Sequence, residues 1–342
     1  MSVWAVAGVG VLLLGSIGAV RLMTGAFGEF GWPESGAVLR LRAVPVGVAA
    51  TVGAALAVAG VLLQSLLRNA LASPWILGLS SGAGLGLSVE IWLRNRFGGS
   101  GVMTVEPTVL SPVFALAGAA GALGVVYWLA RRRGVLDPAS LVLVGVMVSI
   151  TAGAATMFVQ HLLPDAGLAA AARWAMGYVS ESTPGWQLGA AAVVTAVSLA
   201  VALRHGRALD AASLSDDEAS SLGVDLRGLR RRMFVIAAVL SGGAVVLAGP
   251  IGFVGLVCPH AVRLVAGPRH VTLLVGSALL GAAALSGAEL ATAWVTTGSG
   301  RLPVGVVTAV VGGPLFIVLL RRTLTRGGGA DGSDGGGRGG AV

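Results

Sequence analysis

The chain contains 342 residues, of which 55% are hydrophobic and 11% are charged. Its mean hydropathy of +0.88 means that it has more apolar surface than one soluble core could bury, so most of that surface must face lipid. The formal net charge of +8 does not indicate a nucleic-acid partner, because the arginines lie between hydrophobic runs and not on one soluble face. We therefore predict a polytopic integral membrane protein with little sequence left for a soluble domain.

Apolar runs separated by polar breaks predict about ten transmembrane helices in an all-α fold. The first run has no basic region before it and no cleavage site after it, so we expect a retained span and not a removable signal peptide. The 54 glycines would weaken helices in water, but in a bilayer small residues let helices approach closely, so we expect glycine at helix crossings. The ten runs cover residues 3–23, 44–67, 76–93, 109–130, 141–163, 186–203, 233–248, 251–265, 271–295 and 304–320.

The arginines predict the orientation of the chain in the membrane. All 23 basic residues are arginine, and with a cytoplasmic N-terminus 16 of them lie inside and seven outside. This distribution satisfies the positive-inside rule, which the opposite orientation would violate. Both termini are therefore predicted to be cytoplasmic. We expect a transmembrane domain over residues 1–326, followed at 327–342 by a disordered Gly-rich cytoplasmic tail that has no apolar content to bury.

Two segments rich in Gly and Pro interrupt the apolar pattern in corresponding positions of the two halves. One covers residues 69–86 and the other covers residues 249–268. Paired interruptions of this kind are typical of transporters built from an internal repeat around the transport path. On the predicted topology the first segment enters its repeat from outside and the second from inside, which predicts an inverted repeat.

The longest polar stretch, residues 204–232, lies inside on this topology and is where a soluble partner could bind. Ser215 and Glu218 have the spacing of a capping box, and Gly223 is placed to end the short helix that they begin. Asp225 could cap a second helix that continues into the next span. The alternative is a solvated loop helix without a partner. The first turn of this short helix would contain Asp216 and Asp217. Its apolar edge would consist of Leu214, Ala219 and Leu222.

The run LDAASLSDDEASSLGVDLRGLRRR resembles the cytoplasmic loop by which permeases of the iron-siderophore and cobalamin ABC importers, the type II importers, engage their ATPase subunits. Ala219, Leu222, Gly223 and Val224 match the family's Ala-x-x-Leu-Gly-Val, and Ser215 replaces a usual Gly. Four more stretches resemble the family in order, so that the resemblance reaches from residue 39 to residue 322. They are LRLRAVPVGVAATVGAALAVAGVLLQSLLRNALASPWILGLSSGAGLG, RWAMGYVSESTPGW, LAGPIGFVGLVCPHAVRLVAGPRH and LPVGVVTAVVGGPLFIVLLRR.

The resemblance implies a fold like that of the cobalamin-importer permease, with ten transmembrane helices in the plasma membrane of a bacterium. It implies a second permease subunit, identical or merely similar, two ATP-binding cassette ATPase subunits and an extracytoplasmic substrate-binding protein. A ferric siderophore is the expected cargo, with cobalamin or haem as alternatives. The chain has no P-loop motif, so we expect no enzymatic activity of its own and no cofactor. The implied coupling residues are Leu214, Asp216, Asp217, Glu218, Ala219, Leu222 and Gly223.

Outward-facing arginines are the implied contacts for the binding protein. In the family such arginines pair with glutamates on the two lobes of the binding protein, which points here to Arg40, Arg42 and Arg301. The match is incomplete, because the family's Arg-Leu-Pro-Arg is Arg-Leu-Arg-Ala in this chain and its Glu-Leu-Pro is Arg-Leu-Pro. The alternative for each arginine is that it snorkels to lipid headgroups.

His260 and Arg263 are spaced to share one helix face within an apolar run, which makes them a candidate functional pair. The family match instead implies a structural polar anchor at the cytoplasmic end of a span. The remaining histidines are scattered, and the single cysteine, Cys258, rules out a multi-cysteine cluster, so we expect no metal site.

Few acidic residues lie within the apolar runs, and this weighs against an ion-coupled secondary transporter, the main alternative function. Such a transporter normally places carboxylates in mid-span, where this chain has only Glu289 and, nearer a span end, Glu90. We expect Glu289 and Gln64 to form hydrogen bonds between helices. An intramembrane enzyme lacks a supporting motif.

Overall fold

A computed structural model describes residues 2–25, 30–97, 110–132, 135–297 and 300–327. Within these ranges the chain forms helices joined by short connections, and two minor hairpins, in which each strand pairs with its neighbour along the chain. The strands are β1 Arg131–Arg132, β2 Val135–Leu136, β3 Thr296–Thr297 and β4 Gly300–Arg301. The helices are α1 Val3–Met23, α2 Gly36–Leu66, α3 Leu79–Phe97, α4 Ser111–Leu129, α5 Pro138–His161, α6 Asp165–Ala175, α7 Gly185–Arg204, α8 Gly206–Ala212, α9 Asp216–Ser221, α10 Leu226–Ala248, α11 Val254–Ala266, α12 His270–Trp294 and α13 Val304–Gly327.

Each of the ten predicted spans falls on a helix. Of the described helices, seven are long and apolar enough to cross a membrane on length and composition, namely α1, α2, α4, α5, α7, α10 and α12. The other three are α3, whose second half carries Glu90, Arg94 and Arg96, α11 with 13 residues, and α13, whose apolar part is short. The all-α membrane fold is therefore confirmed. Of the predicted tail, residues 328–342 lie outside the described residues.

Helix α2 is the centre of the fold. Its second half is almost completely buried, and it packs mainly against α12, α10 and α11. A Cβ atom on Gly53 would overlap the carbonyl oxygen of Gly281 in α12, and one on Gly60 would overlap the carbonyl oxygen of Gly255 in α11. The helix backbones therefore touch at these crossings, which confirms the expected role of glycine in packing.

The two Gly- and Pro-rich interruptions contact each other. Helix α10 ends at Ala248, and α11 begins only at Val254, so the start of the predicted 251–265 span is irregular and not helical. The first interruption contains a 3-10 turn, Pro74–Leu77, and the indole Nε1 of Trp75 donates a hydrogen bond to the carbonyl oxygen of Ile251 at 3.1 Å. The inverted repeat stays a prediction.

Buried ionic groups join the first helix to α12. Arg21 and Glu289 are each 2% exposed, and Nε and Nη2 of the arginine donate to the carboxylate at 2.8–3.0 Å. Nη1 donates to the carbonyl oxygen of Thr24 at 3.1 Å. The expectation that Glu289 bonds between helices is confirmed, and its partner Arg21 is enclosed by protein.

Candidate functional site

The polar stretch between α7 and α10 folds into the two short helices α8 and α9. Ser215 Oγ accepts a hydrogen bond from the Glu218 backbone N–H at 3.2 Å, and a carboxylate oxygen of Glu218 accepts from the Ser215 backbone N–H at 2.9 Å. Gly223 has φ 78°, the left-handed conformation that ends helices, and the Asp225 carboxylate accepts from the Gly228 N–H at the start of α10. The predicted capping box, helix end and second cap are confirmed.

The capping box also sets the ionisation of Glu218. Hydrogen bonds from the backbone and the side chain of Ser215 stabilise the charged carboxylate, so they hold the pKa of Glu218 below its ordinary value of 4.5. The side chain is exposed, and burial raises its pKa by less than these hydrogen bonds lower it. Helix α9 is therefore capped by a carboxylate that stays charged at neutral pH.

The predicted apolar edge of α9 divides into a buried and an exposed part. Ala219 is fully buried beneath the helix, whereas Leu214 and Leu222 are 47% and 63% exposed. Asp217 is also exposed, in the first turn. Ala219 thus seats the helix on the rest of the protein, and the two leucines present apolar surface outside the spans.

Asp216 ties α9 to two long helices. Its carboxylate accepts from Arg230 Nη2 in α10 at 2.8 and 3.1 Å, and lies 2.5 Å from Nη2 of Arg68, just beyond the end of α2. Nε and Nη2 of Arg68 also donate to the carbonyl oxygen of Ala212, the last residue of α8, at 3.1 and 3.0 Å. Arg68 could not be predicted as part of this site, because 144 residues separate it from Ala212 in the chain.

A second contact ties α8 to α12. The Asp210 carboxylate accepts from the His270 backbone N–H at 2.9 Å and lies 2.7 Å from its Nδ1. The carboxylate therefore satisfies a donor at the start of α12 that has no partner within that helix. Through Asp210 and Asp216, the short helices are joined to α2, α10 and α12.

The three candidate docking arginines make different contacts. Arg40 and Arg42 lie near the start of α2, at the end away from Arg68, and Arg301 lies in strand β4. Arg40 is exposed in the second turn of α2 and makes no hydrogen bond or ion pair within the part of the chain that the structure describes. Nη1 of Arg42 donates at 2.8 Å to the carbonyl oxygens of both Leu22 and Gly31, so it holds the connection between α1 and α2. Arg301 forms an ion pair with Glu181.

The proposed anchor residues connect α11 to two different neighbours. The buried His260 ring packs edge-on against Phe316 of α13, with centroids 6.2 Å apart. Nη2 of Arg263 donates to Oε1 of Gln64 in α2 at 3.2 Å, which confirms that Gln64 bonds between helices. In the described ranges, no three His, Cys, Asp or Glu side chains are grouped closely enough to hold a metal ion.

Comparison with known proteins identifies relatives across nearly the whole chain. The model of the FecCD transport family matches residues 4–322. The cobalamin import system permease protein of Halobacterium salinarum is 39% identical over 298 residues, covering 86% of this chain and 76% of that protein. The Fe(3+)-citrate import system permease protein of Bacillus subtilis is 35% identical over 285 residues, covering 83% of this chain and 80% of that protein.

A solved structure has the same fold. It is a metal-chelate type ABC transporter in an inward-facing conformation, with a TM-score of 0.80 and 26% identity, and the match covers 94% of this chain and 100% of that one. The fold is that of a membrane permease of an ABC importer. The chain belongs to the FecCD transport family, as its sequence motifs predict.

Proposed function

We propose that this chain forms, with a second permease subunit, the transport path of an importer for a metal chelate, and that separate ATPase subunits drive it by docking on α8 and α9. The observation that carries the proposal is the placement of α9. It stands outside the apolar spans, exposes Leu214 and Leu222, and is tied through Asp216 to α2 and α10. Exposed leucines beside an acidic turn suit a protein partner better than lipid or water.

The mechanism follows from these connections. ATP binding closes the ATPase dimer and displaces α9, which carries four of the seven implied coupling residues and is flanked by the other three. Since Asp210 and Asp216 join the short helices to α2, α10 and α12, the displacement moves long helices as rigid bodies. Rocking of these helices would open the path alternately to either side of the membrane.

Of the three candidate arginines, Arg40 is the one we propose as the first contact of the extracytoplasmic binding protein. It is exposed on α2, so it can meet an acidic residue of a partner without breaking an internal bond. Arg42 holds the α1–α2 connection, and Arg301 would have to exchange Glu181 for the partner. Opposite charges would orient the binding protein and speed its encounter with the permease.

The arginine distribution supports a plasma-membrane permease with both termini in the cytoplasm. With this orientation, the group formed by Arg68, Asp216 and Arg230 faces the cytoplasm, where the ATPase would dock, and Arg40 faces outward. The two candidate surfaces thus lie on the sides where their proposed partners are found.

The names of the relatives support a metal chelate as cargo, since those compared above transport cobalamin and ferric citrate. A ferric siderophore stays our first prediction, with cobalamin and haem as the alternatives. In a given importer the substrate-binding protein delivers the cargo to the permease, so the cargo has to be identified with the complete complex.

The experiment is reconstitution of the permease with its ATPase and binding protein in vesicles. We expect ATP-dependent uptake of one chelate when ferric siderophores, ferric citrate, cobalamin and haem are offered separately. A permease that neither co-purifies with the ATPase nor takes up any of them with ATP would contradict the proposal.

An ion-coupled secondary transporter is not supported. The Glu289 carboxylate is buried in its pair with Arg21, and the Glu90 carboxylate accepts a hydrogen bond from Ser111 Oγ at 3.2 Å. Uptake driven by a proton or sodium gradient in vesicles without ATP would favour this alternative.

A further inference from the structure

Arg68 occupies a backbone position that normally belongs to glycine. Its N–H donates to the carbonyl oxygen of Ser65 at 3.3 Å, and the next N–H, of Asn69, donates to that of Gln64 at 3.1 Å. These two bonds are the Schellman motif that closes a helix, and the residue at this place has left-handed φ, here 46°. Gly223 occupies the equivalent place after α9 with φ 78°. An arginine at this position is therefore strained, and the helix end would be formed with less strain by glycine.

The guanidinium of Arg68 explains why the strained position is occupied. Its Nε and Nη2 converge on the carbonyl oxygen of Ala212, and Nη2 also faces the Asp216 carboxylate at 2.5 Å. One side chain therefore holds both the end of α8 and the start of α9. Arg230 holds the same carboxylate from α10 and is largely buried, with 12% exposure.

We propose that Arg68 is a positioning residue that transmits the displacement of α9 to α2, with Asp216 as the joint that α2 and α10 share. This inference rests on the proposed function, since it requires an ATPase that pushes α9. It assigns Asp216 a role inside the permease rather than at the ATPase surface. Among the helices that receive the displacement, α2 is the one that packs on α10, α11 and α12 together, so movement of its end reaches most of the bundle.

The variant Arg68→Gly separates transmission from stability. Glycine suits the left-handed helix end, so the variant should fold and melt at the same temperature as the native permease or above it. Without the guanidinium, stimulation of ATP hydrolysis by the binding protein should fall about tenfold, a factor within the usual range of coupling between sites. The measurements are melting temperature and stimulated over basal hydrolysis, both on the complete complex in nanodiscs.

A double-variant comparison and a control complete the test. Combining Arg68→Gly with Asp216→Asn should cause no further loss beyond the larger single effect, because both remove one joint. Arg269→Gln, at an exposed arginine just before α12 and outside the stretch 204–232, should retain native stimulation. Asp216→Glu, which keeps the charge, should restore most of the stimulation that Asp216→Asn loses.

Three results would contradict the inference. Retained stimulation in Arg68→Gly, a lowered melting temperature, or additive losses in the double variant would overturn it. If the native permease itself gives no binding-protein stimulation, it is the proposed function that fails, and the two failures are therefore distinguishable.

Discussion

The Arg21–Glu289 pair shows at the residue scale what a buried charge requires. The carboxylate receives three hydrogen bonds from one guanidinium, and both side chains are 2% exposed. Neutralising only one partner leaves the other charge buried without compensation. Such a loss costs about 3–5 kcal/mol in measured cases.

We therefore expect Glu289→Gln to destabilise the permease by about 3–5 kcal/mol, seen as a lower melting temperature of the purified protein in detergent. Glu34→Gln makes the same substitution at an exposed position between α1 and α2 and should melt like the native protein. Equal melting temperatures for the two variants would contradict a structural role of the pair.

The capping box predicts a pH dependence confined to α9. The pKa of Glu218 is lower in the folded protein than its ordinary value, so its charged form stabilises α9 above that value, and the stabilisation is lost as the pH falls through the lowered pKa. Hydrogen exchange, corrected for its intrinsic pH dependence, should show protection of α9 falling in acid. Glu218→Ala should remove this step and lower protection at neutral pH, while Ser220→Ala, the control in the same helix, should leave the step in place. An acid step that persists in Glu218→Ala would contradict the assignment.

Local sequence signals predict the ends of α9 but not its attachments. Ser215, Glu218, Gly223 and Asp225 act on neighbours within a few residues, so their spacing alone predicts the caps. Arg68 acts on Ala212 and Asp216, which the fold brings close from far along the chain. A periodic sequence pattern cannot predict a contact between residues that lie so far apart in the chain.

At the scale of the elements, glycine determines how closely the central helices approach. Gly53 and Gly281 each lack room for a Cβ because the carbonyl of the other lies there. We expect Gly53→Leu to push α2 away from α12 and to destabilise the permease by about 3 kcal/mol or more, the upper end of the cost of overpacking, because the opposing backbone cannot yield as a side chain can.

The measurement is the yield and melting temperature of monodisperse permease after extraction in detergent. Gly121→Leu is the matched control, because nothing lies within 4 Å of a Cβ at that position in α4. If both variants gave the native yield and melting temperature, close contact between α2 and α12 would not be needed for assembly.

The helices themselves could be predicted from hydropathy, while their contacts could not. In a membrane, apolar length reports that a segment spans but not which neighbour it meets, since lipid and protein are both apolar. The contact between Trp75 and Ile251 and the central place of α2 are therefore visible only in the structure. The short helix α6, Asp165–Ala175, was likewise not among the predicted elements, because it is too short to span.

At the scale of the whole molecule, the permease has the short helices α8 and α9 beside the end of α2 and the exposed Arg40 near the start of α2. The short helices α8 and α9 reach three long helices through two carboxylates, and these long helices include the buried α2. A push on α9 can therefore reach the centre of the bundle. Family membership and this connection together support an importer driven from its cytoplasmic side.

The central claim is that an ATPase acts on α9 and on the exposed leucines that flank it, Leu214 and Leu222. The most direct measurement is ATP hydrolysis by the co-purified ATPase in nanodiscs, with and without the binding protein, for the native permease and Leu222→Asp. Leu222 is exposed, so the variant changes the docking surface without disturbing the core, and Leu222→Met keeps an apolar side chain there as the control. Ala219→Arg addresses the seat of the same helix, because Ala219 is fully buried. We predict that stimulation is lost in Leu222→Asp and Ala219→Arg and kept in Leu222→Met, whereas native stimulation in all three variants would contradict the account.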